Sequence, residues 1–448
     1  MQVTFSKRQT PNDTDAKQTQ CFVSLTKTQN SLLMAIIKPF KGIRPQKKYI
    51  LQIASKPYDV LNEKEARKEC EGNLLSFYHV IKPEIDFPDD HDHYASDVYE
   101  KGFSNFTKML NDGIFFQDTE EYYYIYAQTM NGRRQFGIVA CASIDDYFND
   151  VIKKHELTRP DKEEDRKNHI RYSNLNNEPV FFAYPANSEL DLIVNNLIKS
   201  VPEYDFTADD GIGHTFWVSR DANVNKSITT LFGKLSATYV ADGHHRTAAA
   251  ALVGREMREK NPFHTGKEEY NYFLAVHFPH NQLTIMDYNR VVKDLNGMTS
   301  EEFLKRLKES FEIELKGKNQ FRPKALHEFG MYIDNQWYSL KSKKGTYNDN
   351  DPIGVLDVTI LSKQILEPVL NIKDLRTDKR IEFVGGLRGL EELERRVNNC
   401  EMIAAFALYP VTMKQLIDIA DSGNVMPPKS TWFEPKLRDG LLTHLIND

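Results

Sequence analysis

The chain has 448 residues, of which 40% are hydrophobic and 27% charged, and its formal net charge is −6. This composition is that of a globular protein, and the length predicts two or three domains. The negative charge excludes a non-specific nucleic-acid binder, which needs a basic surface, and argues against DNA as a partner. The sequence has no apolar run long enough to span a bilayer, so no membrane partner is expected.

The four cysteines, Cys21, Cys70, Cys141 and Cys400, are far apart and form no CxxC pair. They predict reduced thiols in a cytoplasmic protein and offer no zinc framework. Residues 1–33 are rich in polar side chains, so we expect a disordered N-terminal extension. Met34 has the character of a natural start, and we assign no function to the segment before it.

The predicted elements mix strands and helices. From 36 to 53, prolines and a glycine predict extended chain that leads into a turn at Pro57-Tyr58-Asp59. Asn-Gly at 131–132 between two hydrophobic runs predicts a hairpin. The other expected elements are helices at 63–71, 94–110, 190–200, 301–310, 387–397 and 413–419, and strands at 181–184, 215–218, 235–240, 272–278, 331–333, 337–339 and 403–408.

This order predicts an α/β or mixed α+β fold. The pattern changes near residue 297, which divides the chain into a disordered extension (1–33), a core (34–297) and a C-terminal α/β domain (298–448) that returns to the site.

A short box follows the strand at 235–240 and opens an alanine-rich helix. It reads Asp242, Gly243, His244, His245, Arg246 and Thr247. Cationic side chains in a first helical turn face the positive end of the helix dipole, so the box predicts a bound anion, with phosphate the obvious candidate. In the alternative interpretation Asp242 caps the helix and offsets Arg246, and both histidines are packed.

The box resembles the phosphate-binding box of the ParB/sulfiredoxin superfamily. Its Ala-Asp-Gly-His-His-Arg form is similar to a large bacterial and archaeal family of unknown function, DUF1015, sometimes labelled SpoOJ-like or ParB-like. Three further segments carry the resemblance: 56–60 with 76–84, 154–158 with Asp165-Arg166, and 426–433. The resemblance implies a ParB/sulfiredoxin-like core that holds nucleotide phosphates, followed by a C-terminal α/β extension.

Two carboxylate positions are candidates for acid–base or metal chemistry. Asp59 could orient an acceptor or cap the next helix. Glu84 and Asp86 would face the same way on an extended strand, as a metal pair or as a solvated charged face.

Two further segments add polar groups. His155 and Glu156, with Arg166 a few positions later, could bridge a phosphate and an acceptor, or could belong to a solvated helix. The spacing is not a zincin motif. Near the C-terminus, Lys429, Ser430 and Thr431 offer a charge and two hydroxyls suited to phosphate, and Trp432 would pack on a base or fill the core.

The leading hypothesis is a nucleotide-dependent phosphotransferase, most plausibly a small-molecule kinase acting on an amino acid or similar acceptor. It would use ATP or ADP, with CTP as a further candidate, and Mg²⁺, and Asp59, His155 and Glu156 would be its catalytic residues. Sulfiredoxin chemistry needs a cysteine in the box, where this chain has His244. A ParB-type clamp needs a basic recognition helix, which the sequence lacks. A nucleotide-binding switch and a metal-dependent phosphoester hydrolase stay open as alternatives, as does homo-oligomerisation.

Overall fold

The computed structural model of the protein describes residues 34–447. The predicted disordered extension over 1–33 lies outside the described residues. Strands and 13 α-helices follow one another through the described part, which confirms the predicted mixed α/β class.

The strands are, in chain order, β1 (Ile37–Lys38), β2 (Ile43–Pro45), β3 (Phe115–Gln117), β4 (Tyr123–Met130), β5 (Arg133–Ser143), β6 (Ile152–Lys153), β7 (Leu175–Asn176), β8 (Val180–Tyr184), β9 (Tyr204–Thr207), β10 (Gly213–Ser219), β11 (Thr238–Asp242), β12 (Tyr272–Pro279), β13 (Tyr288–Val292), β14 (Phe311–Gly317), β15 (Glu328–Ile333), β16 (Gln336–Ser342), β17 (Ile381–Gly385), β18 (Ala404–Leu408) and β19 (His444–Leu445).

The α-helices are α1 (Ile50–Ile53), α2 (Glu63–Glu69), α3 (Tyr78–Ile81), α4 (Ser96–Asn111), α5 (Ile144–Phe148), α6 (Pro160–Ser173), α7 (Ser188–Leu197), α8 (Ala222–Phe232), α9 (His244–Lys260), α10 (Ser300–Leu307), α11 (Asp357–Leu361), α12 (Gly389–Asn398) and α13 (Met413–Asp421).

Two sheets form the framework. The nine-stranded sheet has the order β6-β11-β8-β12-β5-β4-β10-β9, with β1 also paired to β5, and its pairs β6·β11 and β8·β12 are parallel. The six-stranded sheet, β14-β16-β15-β18-β13-β17, is antiparallel throughout. The sequence boundary at 297 lies beyond β13, which already belongs to the six-stranded sheet.

One hydrophobic cluster joins the two sheets. It runs from Phe181 and Phe278 of the nine-stranded sheet to Met331 and Phe406 of the six-stranded sheet. Residues 426–436 form what we call the C-terminal segment. Its Phe433 packs against Phe181 with ring centroids 5.7 Å apart. The C-terminal segment is therefore part of the shared core.

Most predicted elements are present within a few residues of their expected bounds. The Asn131-Gly132 hairpin is confirmed, and both residues have positive φ, as a tight primed turn requires. Asn62, not Asp59, caps α2, through a capping box with Glu65. The chain at 36–53, expected to be extended, ends in helix α1. Helices α3, α5, α8 and α11 are not among the elements that the sequence predicts. Within residues 34–447, no helix is both long and apolar enough to cross a bilayer.

Helix α9 lies close to the chain at Tyr270 because Gly254 has no side chain. A Cβ at this position would lie 2.2 Å from the carbonyl oxygen of Tyr270. The obstructing atom belongs to the backbone and cannot rotate away. Gly254 therefore sets how α9, which begins at the box, sits against the rest of the protein.

We expect Gly254→Ala to lower the free energy of unfolding by about 1–3 kcal/mol, because backbone must shift to admit the methyl group. Urea unfolding followed by far-UV circular dichroism measures the effect. Gly233→Ala is the matched control, since its Cβ would meet nothing closer than 3.4 Å and its φ is −62°. Equal unfolding midpoints for the two variants would contradict this packing argument.

Candidate functional site

Two parallel strands bring the first polar groups together. β6 and β11 are parallel neighbours, so the residues that follow each strand meet at one edge of the sheet. His155 and Glu156 follow β6, and the box follows β11. The carboxyl edge of this sheet therefore gathers two segments that are far apart in the sequence.

The turn of the box has left-handed backbone. Gly243 has φ 93° and stands at the N-cap of α9, where it has no side chain to accept a hydrogen bond from the first helical amides. A Cβ on Gly243 would lie 3.1 Å from Nε of Arg246. A glycine is thus needed both for the turn and for the close approach of the guanidinium, and the first-turn amides remain available to a ligand.

Arg246 and Lys436 enclose the Asp242 carboxylate. Arg246 donates to one Asp242 oxygen at 3.1 Å, and Nζ of Lys436 donates to the other at 3.1 Å. Burial raises the pKa of Asp242, but Lys436 and then Arg246 outweigh it and hold that pKa below its usual value. Arg246 also donates to the Pro179 carbonyl at 3.0 Å and is only 4% exposed. Asp242 offsets Arg246, as the alternative interpretation expected, but makes no capping hydrogen bond.

The histidines of this region are neutral. Burial lowers the pKa of His155 to about 4 and moves the pKa of His244 well below its usual value, and burial also lowers the pKa of His245. His244 accepts from the backbone N–H of His155 at 3.5 Å, and Nε2 of His245 accepts from the N–H of Arg159 at 3.0 Å. The expectation of crowded cations at the helix start is therefore wrong for the imidazoles.

A cavity of about 230 Å³ lies beside the box. We call it the inner cavity. Residues 241–246 form one wall, and an aromatic wall is formed by Tyr288 and Trp432, whose rings meet edge to face at 5.0 Å. The rest of its lining is Tyr58, Asp59, Val60, Glu156, Lys429, Thr431, Glu434 and Lys436.

The C-terminal segment is fastened to the site by backbone hydrogen bonds. The N–H of Met426 donates to the carbonyl of His155 at 2.8 Å, and the N–H of Met286 donates to the carbonyl of Trp432 at 2.8 Å. Lys429 has a positive φ of 58°, and buried Arg290 donates to its carbonyl at 2.9 Å. Arg290 thus holds the turn that presents Lys429.

A larger cavity of about 810 Å³, here the outer cavity, adjoins the inner one. Five residues line both: Tyr58, Asp59, Glu156, His245 and Lys429. We call them the junction residues. Asp59, Glu156 and Lys429 therefore lie where a chemical group could be transferred from a ligand in one cavity to a ligand in the other.

The junction carboxylates differ in environment. Asp59 is exposed, in the turn closed by a hydrogen bond from Val60 N–H to the Pro57 carbonyl at 3.0 Å. Glu156 is half-buried, and burial raises its pKa despite the opposing charge of Lys429. A carboxylate with a raised pKa is a better proton acceptor at neutral pH.

Four residues expected at the site lie behind its walls. Arg166 is buried between Asp165 and Glu178, at 2.8 and 2.9 Å, with its guanidinium 3.9 Å from the Tyr58 ring centre. Arg166 therefore packs against the turn that carries Asp59, on the side away from the cavities. His155, Thr247 and Ser430 also lie off both cavity walls, the two hydroxyls donating to the carbonyls of Gly243 and Pro427.

Glu84 and Asp86 lie outside both cavities. The expected strand is wrong: residues Pro83–Asp86 form a 3₁₀ turn, because Pro83 favours the first position of a helical turn. Glu84 pairs with Lys82 at 3.0 Å and Asp86 with His79 at 2.6 Å. The structure does not bring this pair to the box.

Residues 34–447 contain no group of three or more His, Cys, Asp or Glu side chains placed to hold a metal by themselves. Mg²⁺ usually needs only one or two protein carboxylates when a bound phosphate supplies the other oxygens. Of the four carboxylates that line the inner cavity, Asp242 and Glu434 accept hydrogen bonds from protein groups on both oxygens, which leaves Asp59 and Glu156 for this requirement.

Several wall residues have no sequence motif that would have identified them. Lys436 and Glu434 lie in the same C-terminal segment as Lys429, and Tyr288 immediately precedes Asn289-Arg290. Arg376 reaches the outer cavity from a loop after α11. These residues reach the box because the two sheets share one hydrophobic core.

The fold and site define a mixed α/β protein with a ligand-sized cleft at a helix N-terminus. Residues 37–359 match the family described as "Protein of unknown function (DUF1015)", and the chain belongs to this family. Comparison with curated protein sequences finds no match.

Solved structures similar to this chain share little sequence with it. A structure titled "Free serine kinase in complex with AMP" is 14% identical, covers 70% of this chain and 88% of its own, and gives a TM-score of 0.31. SbnI with a C-terminal truncation, from Staphylococcus aureus, is 12% identical, with coverages of 67% and 85% and a TM-score of 0.35. A conserved hypothetical protein from Pyrococcus furiosus is 14% identical, with coverages of 68% and 93% and a TM-score of 0.32.

We expect Arg246→Met to destabilise the protein by about 1–3 kcal/mol, because it removes the buried partner of a partly buried carboxylate that keeps only Lys436. The urea unfolding midpoint measures this loss. Lys429→Met is the matched control: its side chain is exposed, and its midpoint should shift by no more than about 0.5 kcal/mol. A stability of Arg246→Met equal to the control would show that the Asp242 pair does not hold the box together.

Proposed function

We propose that this protein is a nucleotide-dependent phosphotransferase that acts on a small-molecule acceptor. The observation that carries the proposal is the pair of adjoining cavities whose common wall contains Asp59, Glu156 and Lys429. A transferase must hold a donor and an acceptor side by side with a proton acceptor and a cation between them.

The inner cavity suits the phosphate end of the donor. The first-turn amides of α9 and the helix dipole favour an anion there. Lys429 adds positive charge from the C-terminal segment, whereas Lys436 is paired with Asp242. Trp432 offers a ring against which a base can pack. ATP or ADP is the donor tested first, with CTP as the alternative.

In the transfer step, a hydroxyl oxygen of the acceptor forms a new bond to the terminal phosphorus of the nucleotide. The bond from that phosphorus to the bridging oxygen breaks, and its electron pair leaves with the shortened nucleotide. Glu156 accepts the hydroxyl proton, and Asp59 supplies a carboxylate oxygen toward Mg²⁺, which offsets phosphate charge when bound. Lys429 stabilises the oxygens of the transferred group.

The alternatives have less support. The switch hypothesis leaves the paired carboxylates at the junction without a role. A metal-dependent hydrolase would use His244 and His245, whose Nε2 atoms already accept backbone N–H groups.

Phosphorus NMR tests the proposal with purified protein, Mg²⁺, each nucleotide and a panel of alcohol acceptors. We expect a new phosphoester only when an acceptor is present. Loss of the terminal phosphate without an acceptor would support hydrolysis instead. Tight nucleotide binding without turnover of any acceptor would support a switch, and no nucleotide binding would overturn the proposal.

Glu156→Gln should lower the transfer rate about 10²–10⁴-fold, because the amide cannot accept the hydroxyl proton. Its nucleotide Kd, from isothermal titration, should stay within about twofold of the wild-type value, since the amide of glutamine has nearly the same shape as the carboxyl group that it replaces. Asp59→Asn is the matched variant and should mainly raise the Mg²⁺ concentration needed for half-maximal rate. Unchanged turnover in Glu156→Gln would remove Glu156 as the base.

A further inference from the structure

We infer that the outer cavity binds an anionic acceptor: a small alcohol that also carries a carboxylate or phosphate group. The inference rests on the proposed function, because it names the substrate class of the same site. It is carried by the charge distribution on the outer wall.

Five basic side chains line the outer cavity: Lys82, Arg159, Lys162, Arg376 and Lys429. Two of them are neutralised by neighbouring carboxylates, Lys82 by Glu84 at 3.0 Å and Arg159 by Asp161 at 2.7 Å. Among the described residues, no carboxylate oxygen lies within 4.0 Å of the charged atoms of the other three.

The three unpaired cations, Lys162, Arg376 and Lys429, come from different parts of the chain. Lys162 is in α6, Arg376 is in the loop between α11 and β17, and Lys429 is in the C-terminal segment. Lys162 donates to the Tyr94 hydroxyl at 3.4 Å, and Nζ of Lys429 lies 5.9 Å from the Tyr288 ring centre. Three independent segments thus bring positive charge to one cavity without balancing it.

The acidic groups of the outer wall do not cancel this charge. The two acids that line the cavity, Asp59 and Glu156, are junction residues and also face the inner cavity. Lys429 is a junction residue as well, so the unpaired charges beyond the junction are those of Lys162 and Arg376. They leave that part of the wall net positive, and the Arg376 guanidinium suits a carboxylate or phosphate. Leu61, Leu375 and Phe383 add apolar surface for the carbon skeleton of an acceptor.

The same cations could instead serve the nucleotide, and the test separates the two roles. Isothermal titration measures the Kd of ADP, and then, with ADP and Mg²⁺ present, the Kd of glycerol 3-phosphate and of glycerate. Glycerol and glyceramide are the neutral counterparts. We expect the anionic member of at least one pair to bind about 100-fold more tightly, because its charge can form hydrogen bonds with the unpaired cations.

Arg376→Gln and Lys162→Gln should each raise the Kd of the preferred anion about tenfold and leave the ADP Kd unchanged. Lys226→Gln, which removes one exposed positive charge in α8 away from the cavity, should change neither. Preference for the phosphate pair or the glycerate pair then identifies which anionic group the site takes.

Two results would overturn the inference while ADP still binds: equal affinity for neutral and anionic probes, or loss of ADP affinity in Arg376→Gln. In the second case the cations belong to the nucleotide site. Failure of ADP to bind the wild-type protein contradicts the proposed function itself, so the two failures are distinguishable.

Discussion

The site depends on the Asp242 carboxylate, which lies between two cations from different parts of the chain. Arg246 belongs to the first turn of α9, and Lys436 belongs to the C-terminal segment. A carboxylate just before a helix is favoured by the helix dipole, and a partly buried one is stabilised by cationic partners. Asp242 meets both conditions, and so it fixes the helix start and the C-terminal segment in one arrangement. Both walls of the inner cavity follow from this arrangement.

The sequence predicts that the side chains of the box, His244, His245 and Arg246, attract an anion, but the structure assigns this role to other groups. Burial keeps the imidazoles of His155, His244 and His245 neutral, so they contribute hydrogen-bonding surface and packing. Arg246 is already paired with Asp242. The groups left to attract an anion are therefore the α9 amides and the unpaired lysine and arginine side chains that reach the cavities from distant segments.

Local signals in the sequence predicted much of the fold. The Asn131-Gly132 hairpin and the strand–turn–helix of the box follow from backbone preferences and periodicity within a few residues. A cavity lies beside the box, and the binding of phosphate there stays a prediction. Tertiary packing decides the rest. Arg166 forms an ion pair with Glu178 behind the cavity wall. Lys436 and Tyr288 reach the wall only because the two sheets share a core. Histidine ionisation depends on burial, which no local pattern reveals.

The central claim is that nucleotide phosphates bind the first-turn amides of α9. Hydrogen–deuterium exchange of the peptide that contains His244, His245 and Arg246 tests this claim most directly, with and without saturating ADP and Mg²⁺. We expect slower exchange of these amides when ADP is bound, together with slower exchange in the segment around Lys429. Saturating ADP with unchanged exchange in both segments would contradict it.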